Sequence, residues 1–245
     1  FDFSYPKPDG SGKGRADWKS EELARLVREL MPDVILDDRL DLPGVWDVKT
    51  PEQFQPREWV TIDGQRVVWE ACQTFSGSWG YHRDEASWRS VEQLVQTLID
   101  CVSKGGNLLL NVGPTARGEF DQRARDRLCG IGEWMRRHSR AIYGCTQAPD
   151  GFSCPQDCRL TYNPKTRRLY VHIFAWPYQH LHLDGKAYQD QVAYAQLLND
   201  ASEIRMGMSE WHSSQAGGTT KNTLTLNLPA QKPDVTVPVI ELFLK

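Results

Sequence analysis

Five carboxylates near the start of the chain are candidates for nucleophilic or acid–base chemistry. Asp2, Asp37, Asp38 and Glu70 lie at or near the ends of short apolar runs, and Glu52 lies in the long segment between two such runs. A pair of carboxylates can cleave a glycosidic bond when one attacks the anomeric carbon and the other protonates the leaving oxygen. Spacing alone does not select the pair, because any of these acids could instead cap a helix or pair with an arginine.

Three short apolar runs predict strands that would position these acids. They cover residues 32–38, 66–74 and 107–114, and each ends in polar residues. If the strands are parallel, those ends meet on one face of the fold. The sequence therefore predicts that acids distant along the chain share one site.

Three segments with apolar residues at helical spacing follow the strands or precede them. They cover residues 23–30, 91–102 and 120–138. Ser20 and Ser90 are predicted N-caps of the first two helices. With the first residues, which read as the end of a further strand, strands and helices largely alternate along this region.

This alternation favours parallel strands joined by right-handed crossovers, as in a (β/α) barrel. A doubly wound sheet gives the same alternation. A complete barrel needs about 250 residues, so we expect residues 1–142 to hold only the C-terminal half of a TIM-like barrel. The fold class predicted for this region is α/β, with about half of the barrel absent.

After residue 142 the pattern changes to short alternating segments separated by Asn, Asp, Gly and Pro. Examples are 169–175, 192–198, 223–228 and 235–244. Such spacing is typical of an antiparallel β-sandwich. We therefore expect a second domain over residues 143–245.

Composition excludes several classes of function. The net charge is −3, from 29 basic and 32 acidic residues mixed along the chain, which argues against nucleic acid or an anionic membrane as partner. No apolar run approaches the roughly 18 residues of a membrane span, and no signal peptide is recognisable. Cys145, Cys154 and Cys158 fit no zinc template, so we expect no metal. The expected protein is soluble, in an undecided compartment.

Several motifs, taken together, resemble the retaining α-L-fucosidases of glycoside hydrolase family 29. Phe1-Asp2-Phe3 resembles the family's Trp-x-Asp segment, Asp38-Arg39 its Asn-Asp-Arg strand end, and Trp69-Glu70 a later strand. More specific are Trp79-Gly-Tyr-x-Arg83 and the ordered run of residues 90–114, which ends in Lys-Gly-Gly-Asn-Leu-Leu-Leu-Asn-Val-Gly-Pro. The resemblance extends through the predicted barrel region.

The resemblance implies roles for individual carboxylates. Asp2 corresponds to the nucleophile, and Glu52 to the acid/base in one branch of the family. Because the acid/base loop varies across the family, Glu70 and Glu85 stay open as fallback acid/base residues. Glu70, within a strand, fits better as a structural group that holds a neighbouring side chain.

Two further residues are implied to contact the sugar. Arg39 corresponds to an arginine near the sugar that would also favour ionised Asp2, and its alternative role is a buried ion pair. Trp79 corresponds to an aromatic residue packed on the C6 methyl of fucose, and its alternative role is core packing. The resemblance implies no cofactor.

The implied function is retaining hydrolysis of terminal α-L-fucosyl residues from a fucosylated oligosaccharide or glycoconjugate, with transfer of fucose to an acceptor as a secondary activity. The alternative is an inactive barrel remnant or a carbohydrate-binding scaffold, because the family's other fucose-binding groups come from early strands absent here. An open barrel edge would also need covering, so we expect a homo-oligomer.

Overall fold

A computed structural model describes residues 1–2, 4–207 and 222–245. Phe3, which belongs to the first motif above, lies outside the described residues. The chain forms two compact units: Phe1–Gln73 with Gly106–Leu110, and Thr74–Gly105 with Asn111–Lys245.

Two helices and three short strands come first, helix and strand then alternate as far as residue 138, and strands dominate after residue 145. Among the described residues the helices are α1 (Arg15–Trp18), α2 (Ser20–Leu30), α3 (Val91–Ser103), α4 (Gln122–His138) and α5 (Lys186–Gln191), with a 3-10 turn at Ser139–Ala141. The strands are β1 (Thr61–Ile62), β2 (Gln65–Arg66), β3 (Glu70–Thr74), β4 (Asn107–Asn111), β5 (Thr146–Gln147), β6 (Cys158–Asn163), β7 (Arg168–Ile173), β8 (His180–Asp184), β9 (Val192–Leu197), β10 (Arg205–Met206), β11 (Thr223–Asn227) and β12 (Val239–Leu244). The chain is thus an α/β region followed by a β-rich region.

The predicted cap of α3 is confirmed. Ser90 Oγ accepts a hydrogen bond from the backbone N of Gln93 at 3.1 Å, and Gln93 Oε1 accepts one from the backbone N of Ser90 at 2.8 Å. This reciprocal pair satisfies two otherwise orphaned amides. The predicted cap of α2 is wrong by one residue: Ser20 is already helical, and Lys19 precedes it in a left-handed conformation with φ 52°. Lys19 takes this conformation because it also ends α1.

In the first unit, short segments pair in parallel around a buried tryptophan. Lys49 bridges Trp69 and Glu52 bridges Cys72, both in parallel. Trp69 is fully buried, and a Cβ on Gly106 would lie only 2.3 Å from its ring. Glycine at position 106 is therefore required for the chain to pass the indole.

The strand predicted over residues 32–38 is wrong, because only Asp37 makes a bridge there, with Val48. The backbone carbonyl and amide groups of this segment bond to side chains and not to a neighbouring strand. Arg28 donates to the backbone O of Pro32 and of Val34. The backbone N of Leu36 donates to a side-chain oxygen of Asp47. Side chains thus replace the partner that a strand ladder would supply.

In the second unit, two antiparallel sheets share one core. Their strand orders are β5-β6-β7-β12-β9 and β10-β11-β8. Fully buried residues from both sheets meet in a single apolar cluster that includes Val171, Leu183, Leu226 and Ile240. This arrangement is that of a β-sandwich.

The other face of the larger sheet packs on helices of the same unit. Val95 and Ile99 of α3, Trp134 of α4, Tyr170 of β7 and Val239 of β12 belong to one buried cluster. Adjacent residues of β7 and β12 thus point to opposite faces, as strand geometry requires. None of the helices in the described part combines the length and apolar character that a membrane crossing needs.

Candidate active site

Backbone pairing in the first unit places Glu52. Residues 49–53 run beside β3: the backbone N of Cys72 donates to Pro51 O, and the backbone N of Gln53 donates to Cys72 O, each at 2.9 Å. The chain turns immediately afterwards, at Gln53, where φ is 51°. Glu52 is therefore held at the end of a strand-like segment rather than in a free loop.

Arg39 brings two of the predicted catalytic carboxylates together. Its Nη1 lies 2.8 Å from Glu52 Oε2 and 3.8 Å from Asp2 Oδ1. The Arg39 side chain is only 12% exposed, compared with 28% for Glu52 and 91% for Asp2. One largely buried cation thus faces both acids, and the contact with the half-buried Glu52 is the stronger of the two.

Thr50 holds the guanidinium in this position, and Thr50 is in turn held by Asp38. Arg39 Nε donates to Thr50 Oγ1 at 3.0 Å, and Thr50 Oγ1 donates to Asp38 Oδ1 at 2.7 Å. Lys49 Nζ lies 3.1 Å from the other oxygen of Asp38. Although burial opposes it, the bonds from Thr50 and Lys49 lower the pKa of Asp38 below its ordinary value. Asp38 is thus an ionised anchor.

Sequence analysis did not identify Thr50 as a site residue. It lies within the same Val-Lys-Thr-Pro-Glu segment as Glu52. Its hydroxyl accepts from Arg39 and donates to Asp38, and this role is invisible without the fold. The only signal in the sequence is the position of this threonine, two residues before a candidate acid.

Glu70 begins β3 on the same side of the strand as Cys72, since residues two apart in a strand share a face. Burial raises the pKa of the Cys72 thiol; nearby Arg39 opposes this rise, whereas the negative charges of Glu52 and Glu70 add to it. The structure therefore places Glu70 near the cluster of Arg39 and Glu52.

Glu85 lies in the second unit, in a loop. Its Oε2 accepts from Ser78 Oγ at 2.6 Å, and its Oε1 accepts from Ser87 Oγ at 2.6 Å and from the Ser87 backbone N at 2.8 Å. These bonds, first that of Ser78 and then those of Ser87, lower the pKa of Glu85 to about 2. A carboxylate ionised so firmly is poorly suited to donate a proton near neutral pH.

Trp79 also belongs to the second unit, where the residue as a whole is 40% exposed. Its backbone O accepts a hydrogen bond from Asn111 Nδ2 at 2.7 Å. Trp79 is therefore partly accessible to solvent, on a backbone that Asn111 holds. Throughout the described part of the chain, no three or more His, Cys, Asp or Glu side chains are grouped to hold a metal ion.

Comparison with known proteins identifies relatives of one kind. A model of the family described as "Alpha-L-fucosidase" matches residues 1–140. The plasma alpha-L-fucosidase of Homo sapiens is 35% identical over 113 residues, which are 44% of this chain and 24% of that protein.

Solved structures agree over a longer stretch. Alpha-L-fucosidase isoenzyme 1 from Paenibacillus thiaminolyticus matches with a TM-score of 0.86 and 36% identity, covering 100% of this chain and 57% of that one. An alpha-L-fucosidase GH29 from Bacteroides thetaiotaomicron, described as a trapped covalent intermediate with 2-fluoro-fucosyl fluoride, matches with a TM-score of 0.75 and 26% identity, covering 93% of this chain and 53% of that one. The chain spans less than two thirds of each of these relatives.

Proposed function

Because this chain belongs to the alpha-L-fucosidase family, we propose that it supplies the catalytic carboxylates of a retaining glycosidase that releases terminal α-L-fucosyl residues from glycans. The observation that carries this proposal is the contact of one Arg39 nitrogen with both Asp2 and Glu52. A retaining mechanism needs two carboxyl groups about 5 to 5.5 Å apart. A single guanidinium facing both is a means of keeping them close.

The proposed reaction has two steps. Asp2 attacks the anomeric carbon and forms a glycosyl ester while Glu52 gives its proton to the departing oxygen. Glu52 then takes a proton from water, which attacks the same carbon and releases fucose with retained configuration. The relative described as a trapped covalent intermediate supports this route. A sugar hydroxyl in place of that water would give transfucosylation.

Substrate contacts are proposed for two residues. Arg39 would bond oxygens of the sugar in addition to its two carboxylates, because its fork has five N–H donors. Trp79 would pack its exposed face on the C6 methyl of fucose, as an apolar ring suits a deoxy position. Glu70 would be a structural neighbour and the reserve acid/base.

We propose that residues 1–142 form the C-terminal half of a (β/α) barrel and residues 143–245 a second, β-sandwich domain. The family model that ends at residue 140 supports the boundary. The parallel bridges of the first unit support barrel-like pairing.

We also propose that the active species is a homo-oligomer. In the first unit Leu30, Met31, Ile35, Val68 and Leu109 are each more than half exposed, between 52% and 73%. Apolar side chains exposed to this extent favour association. Sedimentation velocity should show a dimer or larger species. A monomer that stays active at nanomolar concentration would contradict this part of the proposal.

The decisive test is hydrolysis of an α-L-fucoside with a coloured leaving group, comparing the parent chain with Asp2→Gly. We expect turnover in the parent and its loss in the variant, with the far-UV circular dichroism spectrum unchanged. An oligosaccharide acceptor added to the same assay should yield a fucosylated product. A parent without turnover would instead favour a carbohydrate-binding scaffold.

A further inference from the structure

The loop from Phe75 to Arg89 is closed at its base. The backbone N of Arg89 donates to Phe75 O at 2.9 Å. The loop lies entirely within the second unit and carries Trp79 together with exposed Tyr81. A closed loop of this length keeps one shape only if its own interior contacts fix it.

Glu85 is the centre of those interior contacts. Its two oxygens receive three hydrogen bonds, from the hydroxyls of Ser78 and Ser87 and from the Ser87 backbone N. Ser87 Oγ in turn accepts from the backbone N of Gly77 at 3.1 Å. A Cβ on Gly77 would lie 2.7 Å from that hydroxyl, so the two sides of the loop approach as closely as glycine permits. The carboxylate thus ties together both sides of the loop.

The outside of the loop is clamped by α4. Arg123 Nη1 donates to Glu85 O at 2.9 Å, and its guanidinium stacks 4.9 Å from the ring centre of Trp88. Asp121 holds the same guanidinium through its Nε at 2.8 Å. These contacts fix the backbone at Glu85, which lets its side chain act as a rigid acceptor.

Trp79 follows directly after one of the residues that Glu85 binds. Ser78 donates to the carboxylate, and the next carbonyl, that of Trp79, accepts from Asn111. The main chain at residues 78 and 79 is therefore fixed from two directions. Both bonds thus constrain the backbone from which the indole projects.

We propose that Glu85 is a positioning residue, whose carboxylate sets the shape of the loop 75–89 and thereby aims the indole of Trp79 at the sugar. That Glu85 sets the shape of the loop follows from the contacts within the loop alone. That the loop aims Trp79 at a sugar rests on the proposed function. Three donors converging on one carboxylate favour its anion. Its role is therefore structural and independent of pH near neutrality.

The test uses the full chain with four substitutions. Glu85→Ala removes all three hydrogen bonds, and Glu85→Gln keeps a carbonyl acceptor while losing the charge. Asp84→Ala is the matched control, since Asp84 is a neighbouring exposed carboxylate that pairs with Arg83. Ser78→Ala is a milder second variant in case Glu85→Ala does not fold.

The first readout is hydrogen exchange of the peptide that covers residues 75–89, which requires no enzymatic activity. We expect exchange at the amides of Gly77 and Ser87 to rise by about tenfold or more in Glu85→Ala, the effect of losing roughly one charged hydrogen bond. The rise should be smaller in Glu85→Gln and Ser78→Ala and absent in Asp84→Ala. Unchanged exchange in Glu85→Ala would overturn the proposal, whether or not the chain hydrolyses fucosides.

The second readout is steady-state kinetics on an activated fucoside. Glu85→Ala should raise KM by about tenfold while kcat changes by less than about threefold, because ground-state binding is lost without loss of proton transfer. Glu85→Gln should recover part of KM. A fall of kcat that is largest for poor leaving groups would instead make Glu85 the acid/base and overturn the proposal. A parent without turnover would count against the proposed function. The hydrogen-exchange measurement would then still test whether Glu85 fixes the loop.

Discussion

Arg39 Nη1 lies 2.8 Å from Glu52 Oε2, and Arg39 Nε is held at 3.0 Å by Thr50. The guanidinium therefore has a fixed direction before any substrate arrives. A cation held in this way favours the anion of Asp2, the proposed nucleophile, without reorganising during the reaction. Its planar fork, and not merely its charge, is needed for both contacts.

Arg39→Lys should therefore lower kcat/KM by about tenfold to a hundredfold, corresponding to roughly 1.5–3 kcal/mol for lost charged hydrogen bonds. The measurement is steady-state hydrolysis of an activated fucoside. Arg25→Lys is the matched control, because Arg25 forms an exposed pair with Glu29 within one helix. Equal activities of Arg39→Lys and the parent would remove Arg39 from the site.

Residue types and spacing list the candidate acids but do not pair them, so the pairing of Asp2 with Glu52 rested on the family resemblance alone. Asp2, Glu52, Glu70 and Glu85 all satisfied the same residue-type requirement. Only the fold shows that Glu52 contacts Arg39, whereas Glu85 is saturated by serine donors. Loop hydrogen bonds of this kind depend on three-dimensional closure, and no periodicity in the sequence reports them.

Glu52→Ala should slow fucosides with poor leaving groups far more than activated ones. An activated leaving group departs with little protonation, so removal of the acid costs it little in the first step. The measurement compares kcat/KM across aryl fucosides of increasing leaving-group pKa. A steep dependence in the variant and a shallow one in the parent is expected. Parallel slopes would transfer the acid/base role to Glu70.

Gly113→Ala should destabilise the chain, because a Cβ there would lie 2.3 Å from the backbone C of Gly80. Because backbone atoms cannot change rotamer to relieve such a clash, we expect the free energy of unfolding in urea to fall by roughly 1–3 kcal/mol. Gly132→Ala is the matched control: it lies in α4 with open space around it and should gain about 1 kcal/mol. A stable Gly113→Ala would mean that the loop moves freely.

Strand prediction from the sequence was correct for segments that pair within a buried sheet. It was wrong where side chains, and not a neighbouring strand, bind the backbone. β9 and β11 lie within predicted segments. β8 was not among the example segments, although its sequence His-Leu-His-Leu-Asp alternates clearly and only its two leucines are buried. Residues 32–38 were assigned to a strand on their apolar character, but Arg28 binds the carbonyls that a strand would present. These contacts join residues four and six apart, but hydrophobic periodicity does not report which side chain binds a given carbonyl.

Acid should destabilise the second unit through His172. This residue is fully buried in β7, with Nε2 2.8 Å from Thr161 Oγ1. Burial, and to a lesser extent the charge of His138, lowers its pKa from 6.5 to about 3. The unfolded state therefore binds a proton between these values when the folded state does not.

Stability from this group is thus fully present above about pH 6.5 and falls as the pH decreases towards 3, with a limiting slope of about 1.4 kcal/mol per pH unit. The measurement is the free energy of unfolding in urea at several pH values. His172→Gln cannot take up that proton, so its stability should depend less steeply on pH below 6.5, even if it is lower at pH 7. A variant with the same pH slope as the parent would show that His172 is protonated within the folded protein.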